Sequence, residues 1–158
     1  MTVTVSQVSE DFRDWHGLIG LLHAAFAYQE GRIDPPSSLH RLDALSIAEK
    51  AKEEQLFVAM EGDGVLGCVF AKSVGSTMYV GKLAVSPQRQ AQGIGRALMK
   101  AVEVFARQTN HNVLELDARI ELTENHQTFS ALGFIKAGEH AHAGYDRNTF
   151  ITMRKALP

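Results

Sequence analysis

Twelve residues separate Val85 from Leu98, reading Ser-Pro-Gln-Arg-Gln-Ala-Gln-Gly-Ile-Gly-Arg-Ala. Before them, Met78–Val85 has the apolar and β-branched character of a strand that Ser86-Pro87 ends. After them, Ile94, Leu98, Ala101, Val102 and Phe105 recur at helical spacing up to Asn110. A strand that feeds a helix through a glycine turn constrains the whole chain, because the helix must pack back on the sheet that it has just left. Gly93 and Gly95 let the backbone approach a bulky anion, and the amides that open a helix point outward with a dipole of roughly +0.5 charge behind them. Arg89 and Arg96 add positive charge nearby. A tight strand-to-helix connection uses the same glycines, so the turn by itself does not separate packing from binding.

The remaining pattern extends this unit in both directions. Thr2–Val5 alternates like a short strand. Phe12, Trp15, Leu18, Ile19, Leu22 and Phe26 predict a helix over 10–28 with Ser9 as its N-cap, stopped before Pro35-Pro36. Ser38 is expected to cap a second helix whose buried side carries Leu39, Leu42, Leu45 and Ile47. Leu56–Met60 and Val65–Phe70 read as a hairpin turned at Glu61-Gly-Asp-Gly64. Val113–Ala118 is a strand, Thr123–Leu132 a short helix capped by Thr123 and closed by Gly133, and Phe134–His140 and Thr149–Arg154 the last two strands. The order β-αα-β-β-β-α-β-α-β-β predicts an α/β (α+β) fold, with a mixed sheet carrying helices on both faces. At 158 residues, with 45% apolar and 22% charged residues, the chain 1–158 is expected to form one domain.

Charge and cysteine content narrow the function. With 16 basic and 18 acidic residues the formal charge is −2, which argues against a general nucleic-acid binder. Cys68 is the only cysteine, so no internal disulfide framework and no Cys-paired zinc site is possible. The apolar run Leu18–Ala27 is far shorter than the ~20 residues of a membrane span, and MTVTVSQVSEDF has no signal-peptide pattern. A cytoplasmic protein is expected, without a membrane or nucleic-acid partner. His140 and His142 have no third ligand nearby in sequence, so no metal is expected.

Two phosphate motifs do not fit. A P-loop requires a Gly-Lys-Ser/Thr end, and the dinucleotide fingerprint requires a third glycine where Leu98 stands, with its first glycine directly after the strand rather than eight residues beyond Val85. The pattern Gln90-Ala-Gln-Gly93-Ile-Gly95, the strand exit Leu83-Ala84-Val85-Ser86-Pro87 and the later Phe129-Ser-Ala-Leu-Gly133-Phe134 together resemble the GNAT (Gcn5-related) N-acetyltransferases. The element order resembles theirs over nearly the whole chain. The resemblance implies a GNAT fold with a mostly antiparallel sheet, and acetyl-CoA as cosubstrate. It further implies direct acetyl transfer to a primary amine of a small molecule or peptide.

On that resemblance, Gln90, Ala91, Gln92, Gly93, Ile94, Gly95 and Arg96 hold the pyrophosphate of coenzyme A. The strand at Leu83, Ala84 and Val85 splays from Val113–Ala118 and pairs with the pantetheine, the Leu83 N–H serves as oxyanion donor, and Asn125 and Phe129 lie on the cosubstrate side. The family's thiolate-protonating tyrosine falls on Phe129 and its asparagine seven residues earlier on Leu122, leaving solvent, Tyr145 or Tyr79 as the acid, or a thiolate that leaves unassisted. Glu115, Asp117 and Arg119 share one strand face, where the two carboxylates are candidate bases or simply a polar face balanced by Arg119. The acceptor end is expected at Tyr28, Asp34 and Asp146, in proline-held and terminal-hairpin loops. A non-catalytic acyl-CoA sensor is the alternative, and either a monomer or a homodimer is compatible with the sequence.

Overall fold

The computed structural model describes residues 2–158. Strands β1 (Thr4–Gln7), β2 (Gln55–Glu61), β3 (Gly64–Val74), β4 (Thr77–Val85), β5 (Val113–Arg119), β6 (Ile135–His140) and β7 (Phe150–Ala156) form one sheet in the order β1-β2-β3-β4-β5-β7-β6. Every neighbouring pair is antiparallel except β4 and β5, which run parallel. The helices are α1 (Trp15–Phe26), α2 (Ala44–Glu53), α3 (Ile94–Gln108) and α4 (Thr123–Ala131).

Strand alternation divides the core into two layers. Phe57, Ala59, Val69, Ala71, Leu114, Leu116 and Met153 pack with Leu98, Met99 and Val102 of α3, and Phe129 of α4 and Leu132 just after it lean on the same cluster. The intervening residues Leu56, Val58, Cys68 and Phe70 pack under Leu18 and Leu22 of α1 and Ile47 of α2. Gly67 is where α3 comes closest to the sheet: a Cβ there would lie 3.0 Å from Ala84 O, 3.0 Å from Leu98 Cδ1 and 3.2 Å from Ile94 Cγ2.

Two expected helix starts are displaced, each because a stronger cap lies nearby. Ser9 only turns the chain, accepting from the Asp11 amide, and α1 starts at Asp14, whose carboxylate accepts from Gly17 N at 3.1 Å. The helix expected from Ser38 is a 3-10 turn over Ser38–Arg41 with Ser37 accepting from Leu39 N, and α2 begins later at an Asp43/Ser46 capping box. Leu39 and Ile47 are buried as expected, but Leu45 is 70% exposed. Thr123 is the first residue of α4 rather than its cap, which is Leu122. The first strand also begins two residues later than its alternation predicts.

Two departures from regular geometry shape the middle of the sheet. Between Cys68 and Phe70 the β3–β4 register shifts, and Lys82 takes a left-handed φ of 52°. The parallel β4–β5 pairing covers only Thr77–Tyr79 against Val113–Glu115. Beyond it the strands diverge, leaving the second half of β4 with a partner on one side only.

Candidate functional site

The V between β4 and β5 opens into a cleft of about 870 Å³, lined by β4 from Val80 to Val85, by β5 from Leu116 to Arg119, by the start of α3 and by one side of α4. Tyr28 and Gln29, just after α1, lie along the same wall.

At one end, the turn before α3 leaves its backbone amides free of protein partners among the described residues. Ala91 and Gly93 have φ of 61° and 85°, and this left-handed backbone turns successive amides to one side. Among the described residues, no amide from Gln90 to Arg96 donates to a protein acceptor; the first intrahelical bond is Ala97 N to Gly93 O at 3.0 Å. A Cβ on Gly93 would meet nothing within 4 Å, and one on Gly95 would meet only Val85 Cγ2 at 3.7 Å, so the space above both glycines is free of protein. Gln90 Nε2 anchors the turn to Val85 O at 3.2 Å. Arg89 is held by both oxygens of Glu61 at 3.1 Å and by Gln92 Oε1 at 3.0 Å, and its guanidinium keeps the Glu61 carboxyl below the usual carboxylate range. Arg96 lines the cleft and has no ion pair among the described residues. Gln92 itself lies off the cleft wall.

At the other end a polar cluster is assembled from loops far apart in sequence. Asp34 is its hub: its N–H donates to Glu121 Oε2 at 3.1 Å, its carboxylate accepts from Tyr145 Oη at 2.7 Å and from Arg147 Nη2 at 3.3 Å. Arg119 Nη1 donates to Pro35 O at 2.6 Å, and burial draws its pKa down against the opposing field of Glu121. Arg32 makes a two-pronged bond to Glu124, at 2.7 and 2.9 Å. The loop after α1 is thereby strapped to the β5–α4 connection and to the β6–β7 loop.

The three candidate catalytic side chains part company. Asp117 lines the cleft, where its oxygens accept from Tyr79 Oη at 3.0 Å and Thr152 Oγ1 at 2.8 Å. Glu115, two residues away, is outside the cleft wall and paired with Arg154 at 2.8 Å. Tyr145 is spent on Asp34, and that bond raises its pKa. Tyr79 is pushed well above the ordinary phenol range, by burial first and by the Asp117 charge second. Leu83, Ala84, Val85, Asn125, Phe129 and Tyr28 all line the cleft, whereas Asp34 and Asp146 stand beyond its wall. Cys68 is fully buried, and burial pushes its thiol up to about 12, so it is no nucleophile. Sequence reading does not give the pairing of Arg32 with Glu124 or of Glu121 with the Asp34 amide; the partners lie 92 and 87 residues apart and no local spacing signals them. Among the described residues no three His, Cys, Asp or Glu converge as a metal site, and no helix is long and apolar enough to cross a membrane.

A model of the acetyltransferase (GNAT) family matches residues 15–134. The chain therefore belongs to the GNAT acetyltransferase family, and the fold, the divergent strand pair and the anion-ready turn agree with that membership. No curated protein matches it by sequence. Among solved structures it is similar to the PaiA N-acetyltransferase of Thermoplasma acidophilum in complex with coenzyme A, with a TM-score of 0.82 at 12% identity, covering 99% of both chains. It is also similar to the ribosomal-protein-S18-alanine N-acetyltransferase of Escherichia coli, with a TM-score of 0.71 at 18% identity, covering 99% of this chain and 94% of that one. At these identities the likeness is one of fold.

Proposed function

We propose that the protein, acting as one domain over 1–158, transfers the acetyl group of acetyl-CoA to a primary amine of a small molecule or peptide, with both substrates bound together. The observation that carries this reading is the run of unpartnered amides from Gln90 to Arg96 at the mouth of a V-shaped cleft. A pyrophosphate fits them in charge and in donor number, and the free guanidinium of Arg96 adds to the attraction. The open edge of β4 at Leu83, Ala84 and Val85 suits the amide-bearing pantetheine arm, which pairs with backbone as a strand does. Bound acetyl-CoA would supply an acyl group activated as a thioester.

The chain's own residues then have three tasks. The Leu83 amide is assigned to the carbonyl oxygen as negative charge develops there, which requires no particular side chain. Asp117 is the cleft carboxylate without a cationic partner, since Glu124 is neutralised by Arg32. It is assigned to hold the acceptor's ammonium and to receive its proton, directly or through one water. The Asp34 cluster closes the acceptor end.

The second reading, an acyl-CoA sensor without turnover, is favoured by Phe129, which has no proton to give. Calorimetric titration with acetyl-CoA tests the shared premise. Saturable binding to the wild type is expected, and Gly93→Glu should abolish it, because it places a carboxylate in the anion cradle and forces a side chain onto a φ of 85°. A folded wild type that does not bind would overturn both readings. Amine-dependent consumption of acetyl-CoA separates enzyme from sensor.

A further inference from the structure

Departure of a thiolate, whose parent thiol has a pKa of roughly 8.5, is assisted by a proton donor at the sulfur. Resting on the acetyltransferase reading, we propose that Tyr28 is that donor, a role its position in sequence gives no reason to expect.

Of the three tyrosines, Tyr28 alone lines the cleft; Tyr79 and Tyr145 donate to Asp117 and Asp34. Its hydroxyl reaches across to α4. The oxygen receives a bond from Asn125 Nδ2 at 2.9 Å and one from Gln29 Nε2 at 3.3 Å. These two amides fill its lone pairs, so the O–H proton is what the group still has to offer. That proton has a neutral acceptor, Asn125 Oδ1, at 3.2 Å, which an anionic sulfur would outcompete. Asn125 is four residues before Phe129 and on the same face of α4, so the phenol sits about one turn, ~6 Å, from the apolar ring on the cleft wall. Arg32 stands over the Tyr28 ring, 5.8 Å from its centroid. The phenolate left behind thus meets two N–H donors, from Asn125 and Gln29.

The step balances. The amine nitrogen forms a bond to the thioester carbon and gives up its proton on the Asp117 side. The C–S bond breaks, its electron pair stays on sulfur, and the sulfur takes the proton of Tyr28, which solvent restores through the open cleft.

Two readouts test this on the full-length protein, with Tyr28→Phe and with Tyr28→Phe/Phe129→Tyr. The side chain is 42% exposed, so losing its hydroxyl should leave the fold intact, as circular dichroism would check. In calorimetry, the wild type should bind coenzyme A more tightly than desulfo-coenzyme A by about 2–10-fold, the range of one hydrogen bond to the sulfur. Tyr28→Phe should erase that preference and leave desulfo-coenzyme A binding unchanged. In turnover of acetyl-CoA with hydroxylamine, an amine already neutral at pH 7 before it attacks, kcat should fall by about 10²-fold with little change in KM. Phe129→Tyr should restore part of both losses by returning a hydroxyl to α4. An unchanged thiol preference in Tyr28→Phe, or a higher hydroxylamine KM at constant kcat, would overturn the assignment and make Tyr28 an acceptor-binding or structural residue. A wild type that binds neither ligand would overturn the acetyltransferase reading and this one with it.

Discussion

Gly67→Ala isolates the contact on which the anion turn depends. Its Cβ would lie 3.0 Å from Ala84 O and Leu98 Cδ1 and 3.2 Å from Ile94 Cγ2, so the strain falls on β4 and on the first turn of α3 together. Overpacking of this kind costs about 1–3 kcal/mol. The φ of Gly67 is not left-handed, so alanine is conformationally allowed and returns about 0.4–1 kcal/mol by restricting the unfolded chain. At the middle of these ranges the net expectation is a loss of about 1.3 kcal/mol, or a fall in Tm of about 3–5 °C for a chain of this size. Because Ile94, which must give way, lies within the turn to which the proposed function assigns the pyrophosphate, coenzyme A affinity should fall as well, beyond what the lost stability explains. The assays are a thermal melt and a calorimetric titration on the same preparation. Equal or higher Tm with unchanged affinity would refute the argument that Gly67 sets the seating of α3.

Two further predictions concern titration and reactivity. Burial first, and Arg119 second, hold the His142 pKa below its ordinary value. The unfolded chain therefore binds more protons than the folded one just below pH ~6.5, so stability should fall as pH drops through that window. Urea midpoints between pH 7 and pH 5 should decline in the wild type and flatten in His142→Asn, which keeps an acceptor for Thr149. Cys68 should resist iodoacetamide at pH 7 in the folded state and react at a rate set by unfolding, because it is fully buried with its thiol raised to about 12. Rapid labelling of the native protein would contradict the packing of β3 under α1.

What the sequence revealed, and what it hid, follows from the range of each interaction. The unit from Met78 to Gln108 is legible because strand pattern, proline stop, glycine turn and helical stripe are all local, and the structure returns it with boundaries moved by a residue or so. The region before it is harder, since Ser9, Asp14, Ser37, Ser38 and Asp43 are all competent caps and tertiary packing chooses among them. The exposure of Leu45 against the burial of Ile47 follows from that shift. The divergence of β4 from β5 came from family resemblance and not from any residue pattern. Sequence reading places Asp34 at the acceptor end but not its bonds: its partners Glu121, Tyr145 and Arg147 lie 87, 111 and 113 residues away and join it through their side chains. Asn125 beside Tyr28 is hidden for the same reason, with 97 residues between them.

The two ends of the cleft differ in what they are made of. The turn from Gln90 to Arg96 presents backbone amides, which most substitutions leave in place. The loop from Arg32 to Pro36 is fastened by side chains, with Asp34 as its common knot. On the proposed function, point mutations can therefore redraw the acceptor end one bond at a time while the donor grip persists. A lineage with that function is free to trade one amine for another without passing through an ancestor that has lost its acyl donor.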